Sequence, residues 1–207
     1  SMCGISGIYG IENLNDPGAI VRKMCDSLAH RGPDADGYYE DKVVALGHRR
    51  LSIIDTSEAG NQPFYSPDKN LVLVYNGELY NYLELKEELS DYTFTTSCDT
   101  EVVIASYLKW GIDCLAKLNG MFGFALFNKT TEELFIVRDR VGIKPVYISR
   151  QGQQVIFASE IRAILSSGLV SRKVNPKAVV DYCRYQTVHA PMTILEDVEM
   201  MLPGHFI

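Results

Sequence analysis

The sequence predicts an α+β fold in which a strand-rich middle is flanked by helices. Between residues 120 and 159 the chain contains two pairs of apolar runs, and a polar turn joins the members of each pair. Helical patterns with recognisable start signals lie before and after these pairs. Strands and helices therefore come in groups, which favours layered antiparallel sheets over alternating βαβ units.

Two hairpins carry most of this prediction. The first covers GMFGFALFNKTTEELFIVRD (120–139), with its turn near residues 129–132, and the second covers PVYISRQGQQVIFAS (145–159), with its turn at Gln151-Gly152. Further strands are predicted over 5–11, over 43–55 with an interruption near Gly47, and from residue 71 to Asn76-Gly77.

Helix boundaries are indicated by capping residues. Asp16 followed by Pro17 predicts the start of one helix, and Asn175 followed by Pro176 predicts the start of another. Asp99 is placed to cap a helix that ends near residue 111. Shorter helices are predicted over 81–90 and 160–168.

Composition excludes several functional classes. The net charge of −6 argues against nucleic-acid binding, which needs a basic surface. No apolar run approaches the roughly 20 residues that span a bilayer, and no secretory signal pattern is present, so we expect a cytoplasmic protein without membrane association. The five cysteines form no zinc-ligand spacing and no even set, so neither a metal site nor a disulfide framework is predicted. Cys25, Cys114 and Cys183 are interpreted as core residues.

Cys3 has two interpretations. It is either a small apolar residue that leads into a strand or a nucleophile whose base is its own α-amino group. An α-amino group has a pKa of about 7.7–8.0 and can accept the proton of a thiol, provided that cysteine is the first residue. Ser1 and Met2 stand before it here, so we expect the 207-residue chain to be weakly active or inactive and a chain that begins at cysteine to be active.

Asn76-Gly77 also has two interpretations. The dipeptide is typical of a tight turn. It also offers a side-chain amide and an unhindered backbone N–H, the donors that an oxyanion hole requires. The helix-like segment that follows, rather than a partner strand, favours the second interpretation.

Charged residues could bind an amino-acid substrate. Arg50 has the planar guanidinium that binds a carboxylate through two hydrogen bonds, and Glu78 or Asp99 could hold an ammonium group. Taken one at a time, these residues are more readily explained as surface charges or, for Asp99, as a helix cap.

Eight segments follow one another along the chain in a characteristic order. They are MCGISGIYG, HRGPDADG, GHRRLSIID, NQPF, YNGELYN, CDTEVV, GMFGFALFN and RDRVGIKPVY. This series resembles the glutaminase domain of class II glutamine amidotransferases, which are N-terminal-nucleophile hydrolases. The segments HRGPD, RRLSIID and NGELYN resemble the asparagine synthetase branch of that class.

The resemblance implies a four-layer αββα sandwich of antiparallel sheets and a role for each site residue. Cys3 is implied as the nucleophile that attacks the side-chain amide of L-glutamine, with Asn76 and Gly77 as the oxyanion hole. Arg50 is implied to bind the α-carboxylate. The remaining implied substrate contacts are the α-amino ligands Glu78 and Asp99 and the pocket residues Leu51, Ile53 and Ile54. No cofactor is implied for this step.

The resemblance also implies a second domain, which uses ATP and Mg²⁺ to activate aspartate or a related carboxylate and receives the ammonia. Its SGGxDS loop is absent, so we expect residues 2–170 to form the glutaminase domain and 171–207 to form a connector towards a C-terminal synthetase domain. A homodimer is compatible with this reading. Two alternatives stay open: an amidotransferase for another acceptor, such as a sugar or a specialised carboxylate, and a catalytically silent regulatory or interaction module.

Overall fold

A computed structural model describes residues 3–51 and 60–207 and places two antiparallel sheets in this part of the chain. The six-stranded sheet runs in the order β10 (Glu199–Met200), β8 (Tyr147–Gln151), β9 (Gln154–Ala158), β1 (Gly4–Tyr9), β3 (Val44–Arg50) and β2 (Ala35–Glu40). The four-stranded sheet runs in the order β4 (Phe64–Tyr65), β5 (Leu71–Leu79), β6 (Gly120–Asn128) and β7 (Glu133–Arg138).

Helices cover the outer faces of both sheets. Helices α1 (Pro17–Asp26) and α4 (Ile161–Ser166) pack on the six-stranded sheet, while α2 (Tyr82–Glu88) and α3 (Asp99–Trp110) pack on the four-stranded sheet. A third apolar cluster, which includes Ile5, Val74, Phe127 and Phe157, fills the space between the sheets. The predicted four-layer αββα sandwich is therefore confirmed.

Both predicted hairpins are present. Strands β6 and β7 pair antiparallel with Asn128 opposite Glu133, and β8 pairs with β9 around the turn at Gln151 to Gln154. The two Pro-led helix starts also form as expected: the Asp16 side chain accepts a hydrogen bond from the N–H of Ala19 at 3.1 Å. Asn175 caps α5 (Pro176–Tyr185) in the same way.

Strand β3 is continuous through Gly47, so the predicted interruption there is wrong. Gly47 pairs with Ser6 of β1 and Tyr38 of β2 in regular register. A Cβ atom at this position would collide with Sγ of Cys25 and lie 2.8 Å from Cγ1 of Val21. The glycine therefore allows α1 to approach the sheet closely.

The turn interpretation of Asn76-Gly77 is also wrong, because β5 runs straight through both residues. They lie opposite Gly123 and Phe122 of β6, in the middle of an unbroken ladder. The predicted cap of α3 and the predicted core position of Cys183 are also wrong. Cys98 occupies the cap position of α3 and Asp99 is its first helical residue, while Cys183 is exposed rather than part of the core.

Residues 171–207 pack against both sheets. Strand β10 pairs with β8, and the last residues run along β7, where the backbones of Ile136 and Ile207 exchange two hydrogen bonds of 2.9 and 3.0 Å. Helix α5 leaves apolar side chains exposed, including Val180 and Tyr185. The extent of the domain, 2–170, stays a prediction.

Within the described residues, every helix is too short or too polar to cross a membrane.

Candidate active site

Cys3 lies directly before β1, at the edge of the space between the sheets. The N–H of Leu51 contacts its sulfur at 3.5 Å, which places the thiol beside the end of β3. Two residues further on, Ile5 exchanges hydrogen bonds with Ser159: its N–H donates to the Ser159 hydroxyl at 2.9 Å, and its carbonyl accepts from the Ser159 N–H at 3.0 Å. The position of the thiol is thus fixed by the strand that follows it.

An ion-pair network holds the backbone of Cys3. Nε of Arg31 donates to the Cys3 carbonyl at 3.0 Å, and Nη1 of Arg31 pairs with Glu160 at 3.1 Å. His30 contacts the same carboxylate oxygen at 2.8 Å. Burial by itself would raise the pKa of Glu160, but the bonds from His30 and Arg31 outweigh it and the pKa is lowered. From the sequence, HRGPDADG was used only as a family motif and no role was predicted for His30, Arg31 or Glu160, because their contacts join distant parts of the chain.

Arg50 ends β3 and is almost completely buried. Its Nη1 donates to the side-chain oxygen of Asn61 at 2.8 Å. Leu51, next in the chain, is half-buried and adjoins the Cys3 thiol. Two predicted pocket residues, Ile53 and Ile54, lie outside the described residues.

Asn76 presents a buried amide that makes no hydrogen bond within the described chain. The residue is 1% exposed, and neither its Nδ2 nor its Oδ1 has a partner among residues 3–51 and 60–207. A buried polar group without a partner costs about 1–3 kcal/mol, so such groups are rare in folded proteins. The unpartnered amide therefore lowers the stability of the fold, and its hydrogen-bonding groups are available to a ligand.

The N–H of Gly77 points to the edge of β5 that carries β4. In an antiparallel ladder the N–H groups of alternate residues point to the same side. On this edge the N–H of Leu71 donates to Ser66, that of Tyr75 donates to Gln62, and that of Leu79 donates to Asp99. Gly77 lies between the last two, beyond the end of β4. Its N–H and the Asn76 amide are therefore next to each other on the strand.

Asp99 joins the end of β5 to the start of α3. Its Oδ2 accepts from the N–H of Leu79 at 2.8 Å and from the Tyr75 hydroxyl at 3.3 Å. Burial raises the pKa of the Asp99 carboxyl, and these two hydrogen bonds oppose the shift. Glu78 is partly exposed, and strand alternation puts its side chain on the same face of β5 as that of Asn76.

His48 links the two sheets behind this site. The imidazole extends from β3 and its Nε2 donates to the carbonyl of Tyr75 in β5 at 3.0 Å. Burial lowers the pKa of His48 to about 4, and the nearby Arg50 lowers it further against the effect of the hydrogen bond. The imidazole is therefore neutral at physiological pH. Sequence reasoning did not identify this role.

The structure thus connects most of the predicted residues. Cys3, Arg50 and Leu51 meet where β1 begins and β3 ends. Contacts through Asn61, Gln62 and His48 link this end of the six-stranded sheet to the part of β5 that carries the remaining predicted residues, Asn76, Gly77, Glu78 and Asp99. In the described ranges no group of three or more His, Cys, Asp or Glu residues could hold a metal ion.

A family model described as a glutamine amidotransferase domain matches residues 2–207. The chain belongs to this family. It is 39% identical over 208 residues to asparagine synthetase [glutamine-hydrolyzing] 1 of Bacillus subtilis (strain 168), an alignment that covers 98% of this chain and 33% of that protein. It is also 39% identical over 220 residues to amidase chry2 of Gibberella zeae, covering 100% of this chain and 32% of that protein.

Solved structures share the fold. A glutamine phosphoribosylpyrophosphate amidotransferase from B. subtilis superimposes with a TM-score of 0.69 at 28% identity, covering 84% of this chain and 46% of that one. The predicted glutamine amidotransferase family and N-terminal-nucleophile fold are thus confirmed. This amidotransferase domain spans about a third of the length of the two curated relatives described above.

Proposed function

We propose that this amidotransferase domain hydrolyses L-glutamine to glutamate and ammonia, with Cys3 as the nucleophile. The observation that carries the proposal is the buried Asn76 amide, which has no partner among the described residues and adjoins the N–H of Gly77. Two adjacent hydrogen-bond donors on one strand, which His48 links to the six-stranded sheet beside Cys3, are what the tetrahedral intermediate of acyl transfer requires.

The chemistry has two stages. The Cys3 thiol attacks the side-chain amide carbon of glutamine, and the α-amino group of Cys3 accepts the thiol proton when cysteine is the first residue. Asn76 Nδ2 and the Gly77 N–H stabilise the negative oxygen that forms. The C–N bond then breaks, the amino group returns its proton to the departing ammonia, and a γ-glutamyl thioester remains. Attack by water on the thioester releases glutamate and restores the thiol.

Substrate recognition follows from charge. Arg50, buried at the end of β3, binds the α-carboxylate of glutamine, and Asp99 with Glu78 binds the α-ammonium group. We assign Leu51 to the pocket for the aliphatic part of the side chain, and the family resemblance adds Ile53 and Ile54, which lie outside the described residues. The buried position of Arg50 strengthens its interaction with an anionic substrate, because the local dielectric constant is lower than that of water.

The fate of the ammonia lies outside this domain. The similarity to an asparagine synthetase three times as long supports ATP-dependent amidation of aspartate in a further domain that needs ATP and Mg²⁺. The second candidate is a different, specialised acceptor, because the chain is equally identical to amidase chry2, which is not named as an asparagine synthetase. A cytoplasmic location and a homodimer belong to the same proposal.

The role of the α-amino group is tested by comparing two chains, one that begins at Cys3 and the 207-residue chain. We expect the first to release glutamate from glutamine and the second to be much slower. Mass spectrometry of the assayed protein shows whether residues 1–2 are still present. Equal rates from intact chains would exclude the α-amino group as the base.

The silent-module alternative is tested with 6-diazo-5-oxonorleucine, an electrophilic glutamine analogue. We expect the chain that begins at Cys3 to form one covalent adduct, mapped to Cys3 and prevented by excess glutamine. Cys3→Ser is the matched control and should form none at this residue. Absence of an adduct on the unsubstituted chain would favour a regulatory or interaction module.

A further inference from the structure

We propose that Asn61 and Gln62 are positioning residues with separate tasks: Asn61 orients Arg50, and Gln62 fixes the segment of β5 that carries the oxyanion donors. The inference deepens the proposed function and rests on it. Neither residue is required to touch glutamine, and each acts through a neighbour.

The side chain of Gln62 makes the hydrogen bonds to β5 that the backbone of β4 would make if the ladder continued. Strand β4 pairs Phe64 with Leu73, so continuation of the same register would put the backbone of residue 62 opposite Tyr75. Pro63 has no N–H and ends the regular ladder. The side-chain amide of Gln62 makes the two missing bonds: its Nε2 donates to the Tyr75 carbonyl at 3.1 Å, and its Oε1 accepts from the Tyr75 N–H at 2.6 Å.

This pair of bonds fixes the backbone directly before the oxyanion donors. Tyr75 precedes Asn76, and its N–H lies on the same strand edge as that of Gly77. Loss of the Gln62 amide would leave the Tyr75 N–H without its partner on that edge and His48 as the remaining donor to the Tyr75 carbonyl, which would allow the oxyanion donors to shift. A displacement of about 1 Å at a reacting centre can cost roughly a hundredfold in rate.

Asn61 holds the guanidinium that we assign to the substrate carboxylate. Its Oδ1 accepts from Nη1 of Arg50 at 2.8 Å. Gly60 lies against Nη2 of the same group, where an added Cβ atom would collide with Nη2 and lie 3.0 Å from Cζ. The orientation of the guanidinium plane therefore depends on residues 60 and 61, and the strength of a two-point carboxylate contact depends on that orientation.

Substitution of Asn61 should therefore change mainly KM, whereas substitution of the adjacent Gln62 should change mainly kcat. With chains that begin at Cys3, we expect Asn61→Ala to raise KM for glutamine roughly tenfold with kcat nearly unchanged, because one hydrogen bond that orients a charged group is lost. We expect Gln62→Ala to lower kcat roughly tenfold or more with a smaller change in KM, because oxyanion stabilisation acts on the transition state.

A matched control removes a side-chain amide elsewhere. Gln151 bonds Ser149 within the β8–β9 hairpin and contacts none of the proposed site residues in the described structure, so Gln151→Ala should leave both constants unchanged. The rate of Cys3 alkylation by iodoacetamide, followed by peptide mapping, should be the same in all variants, because this reaction forms no oxyanion.

The outcomes are distinct. If the unsubstituted chain that begins at Cys3 releases no glutamate, the proposed function fails. If that chain is active and the two alanine variants change the same constant to the same degree, or change neither, the positioning roles are wrong. A loss of Cys3 alkylation in the Gln62→Ala chain would also overturn the inference, because it would indicate general disruption of the site.

Discussion

The imidazole of His48 donates a hydrogen bond across the gap between the two sheets to the carbonyl oxygen of Tyr75, 3.0 Å away. Tyr75 uses the same carbonyl to accept from Gln62, and its hydroxyl donates to Asp99. One strand residue therefore connects a buried histidine, a loop amide and the proposed ligand of the substrate ammonium group. The residue after it is Asn76.

Replacement of His48 should change the pH dependence of stability. Its pKa is about 4 in the folded protein and about 6.5 in an unfolded chain, so the unfolded state binds more protons between these values. Stability is therefore fully present above pH 6.5 and is lost as the pH falls towards 4. The loss attributable to His48 is about 2–3 kcal/mol by pH 4.5, at 1.36 kcal/mol per unit of pKa difference.

Gln is a suitable substitute because its amide can donate to Tyr75 but does not titrate. Urea unfolding of the unsubstituted chain and of His48→Gln at pH 7.5, 5.5 and 4.5 measures the effect. The unsubstituted chain should lose more stability than the variant as the pH falls. Parallel losses in both chains would contradict the assignment of the pH dependence to His48.

Asn76→Ala should separate activity from stability. We expect kcat for glutamate release to fall roughly 10²–10³-fold, the cost of removing one oxyanion donor. The free energy of unfolding should fall by no more than about 1 kcal/mol, because the amide gives up no hydrogen bond within the described chain and relief of its burial cost offsets the packing that is lost. Both are measured on chains that begin at Cys3, by glutamate assay and urea unfolding.

Asn70→Ala is the reciprocal control. The Asn70 side chain bonds Asn128 and Thr130 at the far end of the four-stranded sheet, so its removal should lower stability and leave kcat unchanged. A large stability loss in Asn76→Ala, together with retained activity, would assign Asn76 a structural role.

Asp99→Asn should weaken glutamine binding selectively. An amide keeps an oxygen to accept from Leu79 but cannot neutralise an ammonium group, so KM should rise roughly tenfold to a hundredfold. Glutaramate, which lacks the α-amino group, should be hydrolysed equally by both proteins. An equal penalty on both substrates would count against the ammonium contact.

The same carboxyl predicts a pH effect on KM. Burial raises the pKa of Asp99 above 3.8, so its charge is lost at a higher pH than that of an exposed aspartate. KM for glutamine should therefore rise as the pH falls through this pKa in the unsubstituted chain, and Asp99→Asn should lack that rise. Steady-state kinetics at several pH values tests this, and identical KM profiles would contradict it.

Gly47→Ala should destabilise the fold through overpacking. The added methyl group would meet Sγ of Cys25 and Cγ1 of Val21, and such insertions cost about 1–3 kcal/mol. Cys25→Ala removes the nearest obstacle, so the double variant should be more stable than the sum of the single effects predicts. Additive effects in urea unfolding would indicate that α1 moves freely away from β3.

Hairpins and Pro-led helix starts were predictable because their signals are local. The turn between β8 and β9 depends on neighbours along the chain, and so does the Asp16 cap of α1. The environment of a residue was not predictable where it depends on contacts with distant parts of the chain. Cys183 was expected in the core on the basis of its apolar neighbours, but it lies on an exposed face of α5.

At Asn76-Gly77 the local sequence signal and the long-range strand pairing favour different structures. The dipeptide by itself is typical of a turn, and only pairing with β6 over the whole length of β5 keeps it extended. NQPF belongs to the series of family motifs, but no role was predicted for its residues from the sequence. The role that we propose for it depends on contacts of Asn61 with β3 and of Gln62 with β5, two strands from different sheets.

Local sequence patterns specify the paired hairpin strands, the helix starts, the order of motifs and the candidate residues for attack on and binding of an amide substrate. Which of these residues meet depends on the packing of the two sheets. Arg31 and Cys3 are 28 positions apart, and His48 and Tyr75 are 27 apart, so no local pattern encodes their hydrogen bonds. These contacts exist because two sheets pack face to face. Burial between the sheets keeps His48 neutral and encloses an asparagine amide that has no partner among the described residues.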